Sequence, residues 1–217
     1  MFTPSPTPFQ VPPFYPVLDT TVLRSRECPV LEAARTLVDA GVRILQYRHK
    51  GAWTDSDYGE ATEVRTLCHD NGVLFVINDR ADYAKLLGAA LHIGQDDLPP
   101  AAARRIVSDE VIGFSTHNRV QLRRADAEPV EYLSLGPIFG TSSKLNSDPV
   151  VGVSGLQELR PLTAKPLVAI GGITLQNARE VLDSGANSVA VISGMVPEKW
   201  DRKLFRQTVG SWLAVTA

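Results

Sequence analysis

The sequence is poor in cysteine and contains no long apolar run. Cys28 and Cys68 are its two cysteines, too few for a disulfide framework, and no CxxC pair suggests a zinc site. We therefore expect a reducing, cytoplasmic location. No stretch approaches the roughly 18 apolar residues of a membrane helix, and the N-terminus lacks the basic and apolar segments of a secretory signal. Both absences argue against contact with a membrane.

The chain also lacks an excess of charge of either sign. Its formal net charge is −2 and its pI is near 6.1, so it has no global basic surface for nucleic acid, and any anion site must be local. With 217 residues, 44% of them hydrophobic and 21% charged, it matches an ordinary globular protein with one sizeable core. These numbers are compatible with a monomer or a homo-oligomer.

Six of the first sixteen residues are prolines, which remove amide donors and oppose helices and central strands. We predict a flexible proline-rich leader over residues 1–14, to which no function is assigned. The folded part is then one domain over residues 15–217.

From Tyr15 onward, short apolar runs alternate with segments of helical spacing, as in a parallel sheet with crossover helices. Eight such runs predict strands at Tyr15–Leu18, Ile44–Tyr47, Leu74–Ile77, Leu91–Ile93, Val111–Phe114, Tyr132–Leu135, Leu167–Ile170 and Val189–Ile192. About 25 residues per unit suits an α/β fold of the (β/α)8 TIM-barrel type. An open dinucleotide-binding sheet is disfavoured, because no glycine-rich turn follows the first run.

Active sites of such barrels lie at the C-terminal ends of the strands, where this sequence is polar. Gln46, Arg48 and Lys50 alternate along and beyond the second run, so their side chains converge on one side. A guanidinium fork, an ammonium and an amide donor suit a di- or triphosphate. A solvated edge strand is the alternative, but a closed barrel has no edge.

Asn78, Asp79 and Asp97 follow the third and fourth runs and offer hard oxygen ligands. Mg²⁺ favours a few carboxylates completed by water and substrate phosphates, so these residues beside the basic side chains indicate a magnesium diphosphate. In the plainer alternative, Asp79 pairs with Arg80, and Asp97 caps the next helix.

Later strand ends carry further candidates. Ser115 and His117 follow the fifth run, and a long loop after the sixth predicts a lid in which Lys144 reaches a phosphate. Small residues at Gly171, Gly172 and Ser193 predict a second phosphate site. His92, inside a strand, is interpreted as a structural imidazole, and His49 as facing away from the site.

In order and spacing these segments resemble the thiamine phosphate synthase family over about residues 15–195. The matching motifs are QYRHK at 46–50, NDRADYA at 78–84, HIGQDDLP at 92–99, GFSTH at 113–117, GPIFGTSSK at 136–144, VAIGGIT at 168–174 and VAVISGM at 189–195.

The resemblance implies an enzyme that joins hydroxymethylpyrimidine diphosphate to a thiazole phosphate, giving thiamine phosphate and diphosphate. It implies dissociative departure of diphosphate, assisted by one Mg²⁺ per active site. The residues implied to contact diphosphate are Gln46, Arg48, Lys50, Asn78, Ser115 and Lys144, with Asp79 and Asp97 as metal ligands. Thr141, Ser143, Gly172, Ile192 and Ser193 are implied to line the thiazole phosphate site.

Two alternatives stay open. Thiazole tautomerases form a sister family with the same barrel, but they need neither diphosphate nor Mg²⁺, and the set of Asn78, Asp79 and Asp97 favours the synthase. A non-catalytic protein that binds thiamine precursors is the other alternative.

Overall fold

A computed structural model describes residues 9–140 and 148–217, which contain a closed barrel of eight parallel strands. Each strand pairs with the next along the chain, and the last pairs with the first. The strands are β1 Phe14–Asp19, β2 Ile44–Arg48, β3 Leu74–Asn78, β4 Ala90–Ile93, β5 Ile112–Thr116, β6 Tyr132–Leu135, β7 Leu167–Ile170 and β8 Ser188–Val191. The predicted (β/α)8 barrel is confirmed, and each predicted strand lies within about two residues of the observed one.

Helices surround the barrel in the described ranges. They are α1 Thr20–Ser25, α2 Val30–Asp39, α3 Asp55–Asp70, α4 Ala81–Leu87, α5 Pro100–Ile106, α6 Arg119–Asp126, α7 Gly152–Leu159, α8 Ala178–Asp183 and α9 Arg202–Thr216. Short 3-10 turns occupy Arg160–Leu162 and Ser193–Met195. Among the described residues, no helix has the length and apolar character needed to cross a membrane.

Local sequence signals account for the helix starts. Asp19 ends β1 and caps α1, its carboxylate accepting from the amides of Thr21 and Val22 at 3.0 Å each. Thr54 and Asp57 form a reciprocal capping box at the start of α3. These caps fix where the chain turns after β1 and β2, the first two strand ends of the site.

Apolar side chains form two separate clusters. The larger lies between the sheet and the helices and includes the buried Trp212 of α9, which stacks on Phe14 at 5.7 Å between ring centroids. The smaller fills the barrel interior and is built from Tyr15, Val17, Ile44, Val76, Ala90, Tyr132, Val168 and Ala190, together with Val11. This inner cluster packs the barrel interior below the polar C-terminal ends of the strands.

The chain before β1 does not behave as a free leader over all of the predicted range. Phe14 already belongs to β1, and Val11 is buried in the inner cluster. Phe9 packs on Tyr132 with ring centroids 5.8 Å apart, and the carbonyl of Pro13 accepts from the amide of Val189 at 2.9 Å. Residues 9–13 therefore pack against the barrel, while residues 1–8 of the predicted leader lie outside the described residues.

Candidate active site

A cavity of about 870 Å³ opens at the C-terminal ends of the strands. The predicted residues that line it are Gln46, Arg48, Lys50, Asn78, Asp79, Asp97, Ser115, Gly172, Ile192 and Ser193. They come from β2, β3, β5 and the loops after β2, β3, β4, β7 and β8, so the fold brings together segments nearly 150 residues apart. A cavity of this size is in the range of ligand-binding sites.

Arg48 and Lys50 are each held by a carboxylate. Arg48 forms an ion pair with Asp19, which is buried at the end of β1 and also caps α1. The Lys50 ammonium lies 2.5 Å from an Asp79 carboxylate oxygen. Both cations are thus positioned before any ligand arrives, which reduces the entropy lost on binding.

The end of β3 contains an unsatisfied donor and a strained residue. Asn78 is buried, and its Nδ2 has no hydrogen-bond partner among the described residues. A buried donor of this kind costs about 1–3 kcal/mol until an acceptor reaches it. Asp79 follows with a φ of 63°, a left-handed conformation that is uncommon for residues other than glycine.

Asp97, in the loop after β4, is close to Asp79. Burial raises the pKa of Asp97, and so does the neighbouring Asp79 carboxyl, whereas the hydrogen bond from the Gly94 amide, at 2.6 Å, lowers it. The plainer interpretation of these residues is not what the structure shows. Asp79 pairs with Lys50, Arg80 pairs with Asp82, and the N-cap position of α5 is Pro99.

Ser115, near the end of β5, lies beside the imidazole that was interpreted as structural. Its Oγ is 2.8 Å from Nε2 of His92 and 3.2 Å from Oγ of Ser134. Burial lowers the pKa of His92 to about 4, so the ring is neutral at physiological pH. His92 therefore lies at the site as a neutral ring and adds no charge to it.

The remaining histidines differ in their access to the cavity. His49 is turned away as predicted, with Nδ1 2.9 Å from Oγ1 of Thr20. His117 lines the cavity, and its Nδ1 lies 2.6 Å from the carbonyl oxygen of Gly136 and 3.5 Å from an Asp148 carboxylate oxygen. Both contacts hold the His117 ring in place at the cavity wall.

The loops after β7 and β8 bring the protein backbone to the wall of the cavity. Gly171 and Gly172 have φ values of 98° and 65°, and a Cβ on Gly172 would lie 2.5 Å from the carbonyl oxygen of Gly140. The 3-10 turn that begins at Ser193 is tied down by Arg26, which donates to the carbonyl oxygens of Ser193, at 2.9 Å, and Val196. Glycine at position 172 therefore allows the loop after β6 to pack closely against the loop after β7.

Comparison with known proteins identifies the group to which this architecture belongs. A family model described as thiamine monophosphate synthase matches residues 14–195. The chain belongs to the thiamine monophosphate synthase family.

Individual members of the family are similar over most of the chain. A thiamine-phosphate synthase from Koribacter versatilis is 48% identical over 171 residues, which cover 78% of this chain and 81% of that protein. One from Chloroflexus aurantiacus is 39% identical over 184 residues, or 84% of each chain. The solved structure of a thiamine phosphate pyrophosphorylase from Pyrococcus furiosus has a TM-score of 0.82 at 28% identity, covering 94% of this chain and 95% of that one.

Three residues that the family resemblance implied lie beyond the part of the chain that the structure describes: Thr141, Ser143 and Lys144. The predicted lid falls largely on the same segment. Their roles stay predictions.

Several residues that shape the site are not among those predicted from the sequence. Asp19 stands directly after the first apolar run, at the strand end where a site residue is expected in this fold. Tyr15 and Tyr132 were counted as apolar strand residues, although their hydroxyls point at each other inside the barrel, 2.8 Å apart. Arg26 lies in a loop between two helices, where no local pattern indicates its contact with the turn at Ser193.

Proposed function

We propose that the protein joins 4-amino-2-methyl-5-hydroxymethylpyrimidine diphosphate to 4-methyl-5-hydroxyethylthiazole phosphate, producing thiamine phosphate and diphosphate. The observation that carries this proposal is the facing arrangement of Arg48 and Lys50 with Asp79 and Asp97 in one cavity. Cations for a diphosphate and carboxylates for its metal are both needed by this reaction. The names of the relatives support the same activity.

The residues of the chain would act mainly on the leaving group. Arg48, Lys50 and the free Nδ2 of Asn78 would bind the diphosphate oxygens and stabilise the negative charge that grows as the carbon–oxygen bond breaks. The Ser115 hydroxyl would donate to the same group. The electron-rich aminopyrimidine stabilises the methylene cation that remains, and the thiazole nitrogen then attacks it, so a protein nucleophile is not required.

The loops after β7 and β8 would hold the second substrate. Gly172, Ile192 and Ser193 line the cavity on that side, where close backbone approach suits a phosphate monoester. Binding both substrates in one enclosed space supplies the alignment on which a bimolecular reaction depends. Thr141 and Ser143 would complete this side.

The carboxylates fit one Mg²⁺. Burial and the nearby Asp79 carboxyl raise the pKa of Asp97, and a divalent cation would offset that cost. Asp79 and Asp97 would hold the ion, and because no group of three or more metal-binding side chains occurs in residues 9–140 and 148–217, substrate oxygens and water would complete its coordination. Bound Mg²⁺ would neutralise charge on the departing diphosphate.

We also propose a cytoplasmic location for the protein and name its partners. Cys28 and Cys68 are free and buried, and burial raises the pKa of each thiol to about 12. Such thiols react slowly, and the cytoplasmic location expected from the sequence stays part of this proposal. The partners would be the two small substrates, and a homo-oligomer is compatible with the fold.

The test is to incubate the purified full chain with both substrates and Mg²⁺ and to measure thiamine phosphate and diphosphate in equal amounts. Lys50→Met should lower kcat/KM about 100-fold, as expected when a charged group on the leaving oxygens is lost. Lys85→Met, which removes an exposed cation from α4, is the matched control and should leave the rate unchanged. Isomerisation of a thiazole carboxylate phosphate without any condensation would overturn the proposal in favour of a tautomerase.

A further inference from the structure

Six polar side chains form a continuous hydrogen-bonded chain through the barrel interior. Nε2 of Gln46 lies 2.9 Å from the Tyr15 hydroxyl, which lies 2.8 Å from that of Tyr132. The Tyr132 hydroxyl is 3.0 Å from Nδ1 of His92, and Nε2 of His92 is 2.8 Å from Oγ of Ser115. Ser134 closes the chain with a contact of 3.2 Å to Ser115. Gln46 and Ser134, at the two ends of the chain, line the active-site cavity, and so does Ser115.

Because each hydroxyl has a single hydrogen, one donor sets the direction of the whole chain. The Gln46 amide donates to Tyr15, and the other partner of the Tyr15 hydroxyl among the described residues is Tyr132. The Tyr15 hydrogen is therefore satisfied only when it is directed to Tyr132. Tyr132 then donates to Nδ1 of His92, which must be the unprotonated nitrogen. The neutral ring therefore carries its hydrogen on Nε2 and donates it to Ser115.

This direction determines what Ser115 offers to a ligand. Its oxygen already accepts from His92 and from Ser134, so its own hydrogen is left to point toward the cavity. If the chain ran in the opposite direction, Ser115 would donate its hydrogen to His92. It would then present an oxygen lone pair to the ligand, and a negatively charged ligand oxygen would be repelled by it.

We infer that His92 is a positioning residue. Tyr132 holds its ring as the Nε2–H tautomer, and the hydrogen bond from His92 to Ser115 makes Ser115 a preorganised donor to the leaving diphosphate. This inference rests on the proposed function for the identity of the ligand. It does not depend on that function for the state of the His92 ring, which belongs to the unliganded protein.

Surroundings support a positioning role. His92 and Tyr132 are buried, and their rings stack with centroids 5.6 Å apart, so the ring of His92 is fixed in rotation as well as in protonation. A hydroxyl oriented in advance avoids reorganisation during bond cleavage, which is the physical basis of electrostatic catalysis by fixed dipoles.

The first experiment is ¹⁵N NMR of the unliganded full chain labelled at histidine, with His92→Gln used to assign its signal. The shifts of the two ring nitrogens report which carries the hydrogen. We expect the Nε2–H form at neutral pH in the wild type. An Nδ1–H form would overturn the inference, whether or not the protein makes thiamine phosphate.

The second experiment measures kcat and KM for His92→Leu and His92→Gln in wild-type and Ser115→Ala backgrounds. Loss of a positioned donor should lower kcat about 100-fold in His92→Leu with little change in KM, and Gln, which keeps a donor, should recover most of it. In the Ser115→Ala background, His92→Leu should have no further effect, because its target is absent. An equal further loss there would overturn the inference, since it would mark His92 as a general structural residue.

Tyr132→Phe provides an independent variant in case His92→Leu does not fold. It removes the hydroxyl that selects the tautomer and keeps the ring, so kcat should fall and the NMR signals of His92 should show a mixed tautomer. Tyr47→Phe is the matched control, because Tyr47 is a buried tyrosine whose hydroxyl binds Glu60, at 2.8 Å, outside the network. Unchanged His92 signals in Tyr132→Phe would contradict the inferred role. If the wild type binds both substrates but makes no thiamine phosphate, the proposed function fails while the tautomer result stands by itself.

Discussion

The buried imidazole of His92 makes the stability of the protein depend on pH in a defined window. Burial lowers its pKa from 6.5 to about 4, with Lys50 and Arg48 acting in the same direction and Asp97 opposing them. The unfolded chain therefore binds a proton at His92 between pH 6.5 and 4, and the folded chain does not. Stability contributed by this residue is full above pH 6.5 and is lost as the pH falls toward 4.

The size of the effect follows from the two pKa values. A folded value of about 4 against 6.5 unfolded gives a loss of about 2 kcal/mol by pH 5 and about 3 kcal/mol by pH 4, relative to pH 8. His92 is only 9% exposed, so solvent screening reduces this figure little. A loss of this size is a considerable fraction of the stability of a typical domain.

Urea unfolding of the wild type and of His92→Gln at pH 8, 6.5, 5.5 and 5, in EDTA, would isolate the contribution of His92. The difference in unfolding free energy between the two proteins should change by about 2 kcal/mol between pH 8 and pH 5, because Gln does not titrate. His69→Gln, at an exposed histidine of α3, is the matched control for the same substitution outside the barrel. Parallel curves for His92→Gln and the wild type would refute the assignment of a buried, neutral imidazole.

Three further predictions concern the metal, the second phosphate and the N-terminal segment. Asp97→Ala should weaken Mg²⁺-dependent binding of inorganic diphosphate more than tenfold by calorimetry and change the unfolding free energy by only about 1 kcal/mol, because one hydrogen bond from Gly94 is lost; unchanged binding would remove Asp97 from the metal site. Gly172→Ala should raise KM for the thiazole phosphate and cost about 1–3 kcal/mol of stability through its φ of 65°, whereas Gly210→Ala, with open space around it, should do neither. Deleting residues 1–13 should lower the unfolding free energy by about 2 kcal/mol through the loss of Val11 and leave turnover at 25 °C unchanged, and equal stability to a chain beginning at Phe9 would contradict this.

The strands and the positions of the charged site residues could be predicted because their signals are local. An apolar run followed by polar and charged residues, as where Asn78 and Asp79 follow Ile77, marks both a buried strand and its C-terminal end. In a (β/α)8 barrel every such end faces the same side, so Arg48, Lys50, Asp79 and Asp97 could be placed together without knowing the packing.

Contacts that depend on the barrel interior could not be predicted in this way. Tyr15 and Tyr132 are separated by 117 positions, and only the closure of the barrel brings their hydroxyls together. The same applies to Arg26, whose carbonyl partner at Ser193 is 167 positions away. The end of the leader was misplaced for a related reason, since proline content opposes regular structure but does not prevent Val11 from packing into an open barrel end.

The interior of this barrel changes character along its axis, and that change explains how stability and ligand binding coexist. Near the base, valine and isoleucine side chains and the rings of the tyrosines fill the space, as is usual for the fold. Toward the mouth, the buried Gln46, His92 and Ser134 and the half-buried Ser115 replace them, and burying such groups is costly unless each one is paired. The hydrogen-bonded chain pairs all four, so this part of the interior is rigid at little cost. Asn78 differs because its Nδ2 finds no partner among the described residues, and an anionic ligand that accepted from it, as proposed, would recover the free energy of that unpaired donor.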